Sequence, residues 1–202
     1  MKAVLLGAVL ALTLAAPSFA QSQSVRVRGT VVSLDGNVLT VKSPTATIKV
    51  TLNDSYSVAY VVKSDLSKVA PGSYVGTAAV PQADGSLRAL ELTIFNETVK
   101  PPDGYRPWDV APSSTMTNAT VSTMTSTSVD KVEGRVLVLK YKDGEQRVFV
   151  PANVPVVTYL PADKSALVPG ANIIMMNATK REDGTVTTSS VNVGKDGLVP
   201  PM

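Results

Sequence analysis

The sequence predicts an all-β protein made of two tandem OB-like, five-stranded Greek-key barrels joined by a proline-rich linker. Apolar and β-branched residues alternate with a period of two, which is typical of half-buried strands and not of helices. Asp-Gly and Pro-Gly pairs, which favour tight turns, separate the alternating segments. The order of these segments and turns then occurs a second time. A single β-sandwich built jointly by both halves is the alternative.

The repeat is seen when the sequence is shifted by 98 residues against itself. Ten of the 41 positions from 36 to 76 are then identical, without a gap. Pro71-Gly72 meets Pro169-Gly170, and Asp84-Gly85 meets Asp183-Gly184 after a slip of one residue. Because turn residues align together with strand residues, internal duplication explains the match better than shared strand composition.

The repeat divides the chain into a signal peptide at 1–20, a first OB-like module at 21–99, a linker at 100–114 and a second OB-like module at 115–202. In the first module the alternation predicts strands at 24–34, 37–42, 46–52, 73–80 and 87–95. An excursion follows its third strand at 53–70, extended at 56–62 and with a short helical turn at 64–69. In the second module it predicts strands at 119–132, 135–141, 145–150, 171–179 and 185–193, with the excursion at 151–168. A closed barrel leaves no exposed sheet edge, which favours it over a lone five-stranded sheet.

The N-terminal segment predicts export. Lys2 precedes an uncharged apolar run at 3–16, Pro17 ends that run, and Ser18-Phe19-Ala20 offers the small residues that signal peptidase requires. The run is too short to cross a bilayer, and no later segment is apolar enough to do so. We therefore expect a periplasmic or secreted protein that is not membrane-spanning, cleaved near Ala20-Gln21.

Composition excludes several kinds of chemistry. The chain has no Cys and no His, so it cannot form a Ser-His-Asp or Cys-His pair or a conventional zinc or blue-copper site. Its net charge of +3 comes from scattered basic residues, which does not predict nucleic-acid binding. Most Asp residues stand in Asp-Gly turn pairs, where a structural role is expected. The sequence thus predicts no catalytic residue and no cofactor.

Two stretches, Gly104–Asp109 and Ser114–Val121, together with the closing Val193–Leu198, resemble an alphaproteobacterial family of small exported proteins with OB-like domains of unknown function. The resemblance covers essentially the whole mature chain. Members often carry the automatic name "metal ABC transporter permease", but a permease needs several spanning helices and this sequence offers none. The family commonly has His where this chain has Tyr105, which weakens a metal ligand there. The resemblance implies export and an OB-like fold, and it supplies no catalytic residues.

The linker holds the best candidate ligand-binding residues. Tyr105, Arg106, Trp108 and Asp109 combine aromatic faces with opposite charges, a set that can stack a sugar ring or clamp a peptide. Asn118, in the neighbouring stretch, completes this set. Alternatively, Trp108 packs across the seam between the modules and Arg106 pairs with an acidic neighbour.

Two methionines form a weaker candidate. Met116 and Met124 lie eight residues apart on one predicted strand and should share a face, and thioethers suit Cu(I). Core filling explains them as well.

The leading expectation is a non-enzymatic binding or scaffolding module of the cell envelope, whose partner is a glycan, a peptide or a protein and not a nucleic acid. A metal-responsive or metal-binding envelope protein is the alternative, and a carboxylate-dependent glycan hydrolase comes third.

Overall fold

The structure is a computed structural model that describes residues 22–96, 99–129 and 131–202, and it is all-β. The apolar run and cleavage site that predict export lie outside the described residues. The strands are β1 (Gln23–Asp35), β2 (Val38–Lys42), β3 (Thr47–Lys63), β4 (Tyr74–Pro81), β5 (Leu87–Ala89), β6 (Leu92–Ile94), β7 (Gly104–Pro107), β8 (Thr115–Val129), β9 (Val132–Tyr141), β10 (Gly144–Pro151), β11 (Val156–Ala162), β12 (Asn172–Lys180) and β13 (Val186–Gly194). Short 3₁₀ helices lie at Leu66–Lys68, Lys164–Ala166 and Lys195–Gly197.

The first three strands and the last two close a five-stranded barrel, which we call the first ring. Strand β1 pairs with β2, β2 with β3, β3 with β13, β13 with β12, and β12 with β1. Only the β3–β13 pair is parallel. Apolar side chains that alternate along these strands fill the interior, among them Val31, Leu39, Val50, Met175 and Val191.

A second closed path of pairings, the second ring, runs through the middle of the chain. Strand β8 pairs with β9, β9 with β10, β10 with β5, β5 with β4, and β4 with β8. Here the β10–β5 pair is the parallel one. Its interior includes Val75, Leu92, Val121, Leu137 and Val148.

The pairings differ from the tandem arrangement that the sequence predicts, because each ring combines strands of both halves. The first ring takes β12 and β13 from the second half, and the second ring takes β4 and β5 from the first. The length of β3 accounts for this. Its 17 residues extend over about 55 Å at about 3.3 Å per residue, enough to pair with β2 and β13 and also with β11 of the other half. The chain therefore leaves the first ring and enters β4 beside the second.

Beyond its pairing with β2, the same edge of β3 pairs antiparallel with β11, while β13 stays paired with the opposite edge as far as Val61. Val61 pairs with Tyr159, and these two residues are separated by the 98-residue shift of the sequence repeat. On either side, Tyr60 pairs with Leu160 and Val62 with Thr158. The two excursions predicted from sequence thus contain strands that join the rings.

The segment predicted as a linker contains an edge strand. Strand β7 pairs with the first half of β8. Pro107 ends this strand at the sheet edge, where its missing N–H costs no ladder hydrogen bond. The predicted strand at 87–95 is interrupted at Leu90-Glu91, which separates β5 from β6. None of the described helices is long and apolar enough to cross a membrane.

Candidate functional site: the seam cavity

A third apolar cluster lies between the two rings. We call it the seam cluster, and its buried members are Val61, Ala78, Trp108, Met116, Val157, Tyr159, Ile174 and Met202. The paired residues Val61 and Tyr159 belong to it, so the β3–β11 ladder runs through the seam. Ile174 of β12 belongs to the cluster as well, because its side chain faces away from the interior of the first ring. The seam is therefore packed as a core and is not an open cleft.

A cavity of about 330 Å³ opens beside this cluster, and we call it the seam cavity. Both rings line it: Arg26 and Met176 come from the first, and Met116 and Asn118 from the second. Gly76 makes room for two of the lining side chains. A Cβ at this position would stand 2.7 Å both from Asn118 Oδ1 and from a ring carbon of Phe95.

Trp108 forms one wall of the seam cavity, and the guanidinium groups of two arginines lie over its indole ring. The Cζ of Arg26 lies 3.5 Å from the centroid of the indole ring, and the Cζ of Arg106 lies 5.5 Å from it. Both separations are within the range of cation–π attraction. The indole N–H of Trp108 and the Nε–H of Arg26 are buried and have no hydrogen-bond partner among the described residues.

Asp109 stands on the far side of Arg26 and not in the cavity wall. Its two carboxylate oxygens accept bonds of 2.7 and 3.0 Å from Arg28, in the bidentate geometry that favours this pair. Arg26 is 3.4 Å from the same carboxylate. The hydrogen bonds from Arg28 hold the pKa of Asp109 below its ordinary value, and the charges of the two arginines add to this effect.

Arg106 has no ion-pair partner in the described part of the chain. Burial lowers the pKa of its guanidinium, and the positive charge of Arg26 lowers it further. The alternative interpretation expected Arg106 to pair with an acidic neighbour. The neighbouring carboxylate, Asp109, contacts Arg28 and Arg26 instead. Trp108 does pack at the seam, as that interpretation also expected, while still lining the cavity.

The other two candidate residues diverge. Tyr105 is exposed on β7 and does not line the seam cavity. Asn118 is buried on β8 and lines it, and its side-chain N–H donates to the Pro102 carbonyl at 3.2 Å. The structure thus brings together Arg106, Trp108 and Asn118, with Asp109 behind Arg26.

Met116 and Met124 do not share an environment. Met116 is buried in the seam cluster, whereas Met124 packs against the interior of the second ring, 3.4 Å from a guanidinium nitrogen of Arg135. A β-bulge between Val121 and Thr123 explains the difference, because one extra residue reverses the alternation of faces along β8. The eight-residue spacing therefore does not put these methionines on one face.

Glu91 is a carboxyl group buried next to the seam cluster. Its Oε1 accepts a 2.7 Å bond from the Ala78 N–H, and its Oε2 lies 3.1 Å from the Thr93 hydroxyl. The described residues include no ion-pair partner for it. Burial raises the pKa of Glu91 to about 8, although both hydrogen bonds act in the opposite direction. The group is therefore mostly protonated at neutral pH.

Sequence reasoning missed most of the residues that meet at this site. Arg26, Tyr159 and Met176 are single residues in three different strands, and no motif connects them. Glu91 did leave a signal, since it stands between Leu90 and Leu92 in a segment that the sequence predicts as a strand. A carboxylate in such a position needs an explanation.

No protein-family model, curated protein or solved structure matches the chain.

Proposed function

We propose that this protein is a non-enzymatic binding protein of the bacterial cell envelope, and that the seam cavity is its ligand site. One observation carries the proposal. The cavity of about 330 Å³ combines aromatic walls with a few polar and charged groups, and these properties are typical of small-molecule sites. A site of this size accommodates a small molecule, or one sugar ring or side chain of a larger glycan or peptide.

We infer further that each ring is an OB-like barrel and that the two barrels have exchanged their last strands. In each ring the third strand pairs in parallel with the last, in a five-stranded closed order. The registers support a duplicated unit: Val50 pairs with Val186 in the first ring, and Val148, 98 residues further on, pairs with Leu87 in the second. The exchange explains how a seam between two small barrels is packed well enough to hold a shaped cavity.

Export remains part of the proposal and rests on the sequence alone. The positive start, the apolar run at 3–16 and the small residues before Gln21 support it. Its test is the mass of the protein recovered from the periplasm of an expressing bacterium, which should correspond to a chain that begins at Gln21.

The ligand-site proposal is tested by thermal unfolding with peptidoglycan fragments, short peptides and aromatic acids, each compared with buffer. A ligand at a hundred times its Kd stabilises the folded state by about 2.7 kcal/mol, which is readily measured. Ala59 lines the cavity, so Ala59→Phe should fill it and remove the stabilisation. Val32 is exposed on β1, and Val32→Phe is the matched control. A compound that stabilises the wild type and both variants equally would bind elsewhere.

A specific observation also supports a second function, the binding of Cu(I). Met116, Met176 and Met202 all line the seam cavity, and three thioethers are the soft ligand set that this ion prefers. The nearby charges of Arg26 and Arg106 oppose a bound cation, which is why we rank this function second. Native mass spectrometry with Cu(I) tests it: Met116→Leu should remove a stoichiometric adduct, and Met124→Leu, in the second ring, should not.

A further inference from the structure

The charged side chains that line the seam cavity have one sign. Arg26, Lys100 and Arg106 line it, and no Asp or Glu does so in the described part of the chain. The nearest carboxylate known to contact one of these cations is Asp109, and its oxygens already accept two hydrogen bonds from Arg28. The charged side chains in the cavity wall are therefore all positive, and Asp109, outside the wall, is shared by Arg28 and Arg26.

The guanidinium groups of Arg26 and Arg106 lose hydration and repel each other, and a bound anion would offset both effects. Both guanidinium groups lie over the same indole ring, and the charge of Arg26 acts on Arg106, whose guanidinium is partly desolvated. Cation–π contact with Trp108 compensates part of the lost hydration. Arg26 also lies 3.4 Å from the Asp109 carboxylate, whereas Arg106 has no ion pair in the described part of the chain. An oxyanion near both groups would supply opposite charge and good hydrogen-bond acceptors to guanidinium donors.

The remaining walls favour a flat apolar group. Phe95 and Tyr159 stack with their ring planes 5° apart and their centroids 6.0 Å apart, and both line the cavity. Met176 lines it as well, and its flexible thioether adapts to aromatic surfaces. A ligand with no apolar group would make no apolar contact with these three side chains.

We propose that the seam cavity binds a small organic oxyanion with a flat apolar group, its acidic group held by Arg26 and Arg106. This inference rests on the proposed function and specifies the ligand class. The apolar group lies along Phe95 and Tyr159, and the small volume limits the ligand to one or two rings.

The test compares isosteric probes by isothermal titration calorimetry. 2-Naphthoate and naphthalene-2-sulfonate carry the oxyanion, 2-naphthamide has nearly the same shape without charge, and naphthylmethylammonium carries the opposite charge. We expect both anions to bind the wild type at least about tenfold more tightly than the amide, and the cation to bind least. Raising the salt concentration should weaken binding of the anions and not of the amide.

Variants of Arg106 assign the preference to this site. Arg106→Gln should lower the affinity for 2-naphthoate about tenfold and leave that for 2-naphthamide unchanged, and Arg106→Lys should restore part of it. Arg181, exposed in the turn after β12, provides the matched control Arg181→Gln, which should change neither affinity. Circular dichroism verifies that each variant is folded, and Lys100→Gln replaces Arg106→Gln if the latter is not.

The outcomes separate this inference from the proposed function. Equal affinities for naphthoate and naphthamide, both abolished by Ala59→Phe, would overturn the anion inference and leave the seam cavity as a binding site. If none of the probes binds, or if Ala59→Phe does not affect the binding, the anion inference fails. Failure of the full panel of envelope compounds as well would overturn the proposed function.

Discussion

Replacing Glu91 by Gln should stabilise the protein, and the gain should grow with pH. The carboxyl group is 1% exposed and has no ion-pair partner among the described residues. Gln keeps the shape of the uncharged acid. Its oxygen can still accept from the Ala78 N–H, and its NH₂ group can donate to the Thr93 hydroxyl. The substitution therefore removes a titratable proton while preserving the hydrogen bonds.

The magnitude follows from the pKa of Glu91. Burial raises this pKa from an ordinary 4.5 to about 8 in the folded protein. Between these two values the unfolded chain is ionised at Glu91 while the folded protein still carries the proton. The wild type therefore loses stability as the pH rises, by about 1.4 kcal/mol per pH unit. Across the whole interval the loss is about 5 kcal/mol, and above pH 8 it stays constant.

Urea unfolding of the wild type and Glu91→Gln over pH 5–9 measures this effect. Comparing the two proteins cancels the titration of all other groups, so the difference in unfolding free energy should rise steadily to about pH 8 and then level off. Glu145→Gln is the control: its side chain is exposed, 3.9 Å from Lys140, and should show almost no such rise. A difference that is independent of pH would refute the reasoning, because Glu91 would then ionise alike in both states.

Two further predictions concern the fold. Gly29→Ala should destabilise the protein by about 1–3 kcal/mol, because the new Cβ would collide with a backbone carbonyl of β2; Gly144→Ala, whose nearest neighbour is a tyrosine hydroxyl at 3.3 Å, should cost less than about 1 kcal/mol in the same urea titration. Ser24 pairs with Thr179 across the β1–β12 ladder, so Ser24→Cys with Thr179→Cys should form an intrachain disulfide, seen as a mobility shift on non-reducing gels. Ser24→Cys with Pro81→Cys, which would link the corresponding positions of one half, should not, and the opposite result would exclude the exchange of strands.

The alternation of apolar residues predicts most strands, because it records which side chains each strand buries, but it misses β7 in the predicted linker and β11 in the second excursion. It cannot predict which copy of the last strands enters which ring. Strands β4 and β12 present similar patterns, so pairing within one half or between halves would bury similar surfaces. The choice depends on how far β3 extends before the chain turns, and β3 continues to Lys63 through Asn53-Asp54-Ser55, where the sequence predicts the end of the strand.

The candidate site was predictable only where its residues are close in sequence. Arg106, Trp108 and Asn118 belong to stretches with unusual composition, and the structure brings all three to one cavity. Their neighbours Arg26 and Tyr159 come from β1 and β11, more than 130 residues apart in sequence, and only the three-dimensional pairing places them together. Met124 is close to Met116 in sequence but lies in a different cluster, because a β-bulge that sequence periodicity does not reveal reverses its side of the strand.

The pairing of strands from both halves has a consequence for the ligand site that we propose. Two barrels joined only by a flexible linker could separate at little cost, and a ligand between them would have to order them first. Here the chain passes from the first ring to the second before β4 and returns before β12, and the β3–β11 ladder runs through the cluster that contains Trp108. Separating the rings would expose this apolar cluster and break backbone hydrogen bonds, so the cavity walls are fixed before a ligand arrives. The same strand pairings therefore hold Arg26 and Arg106 over one indole ring before a ligand binds. A flexible linker between the rings would let these two like charges move apart.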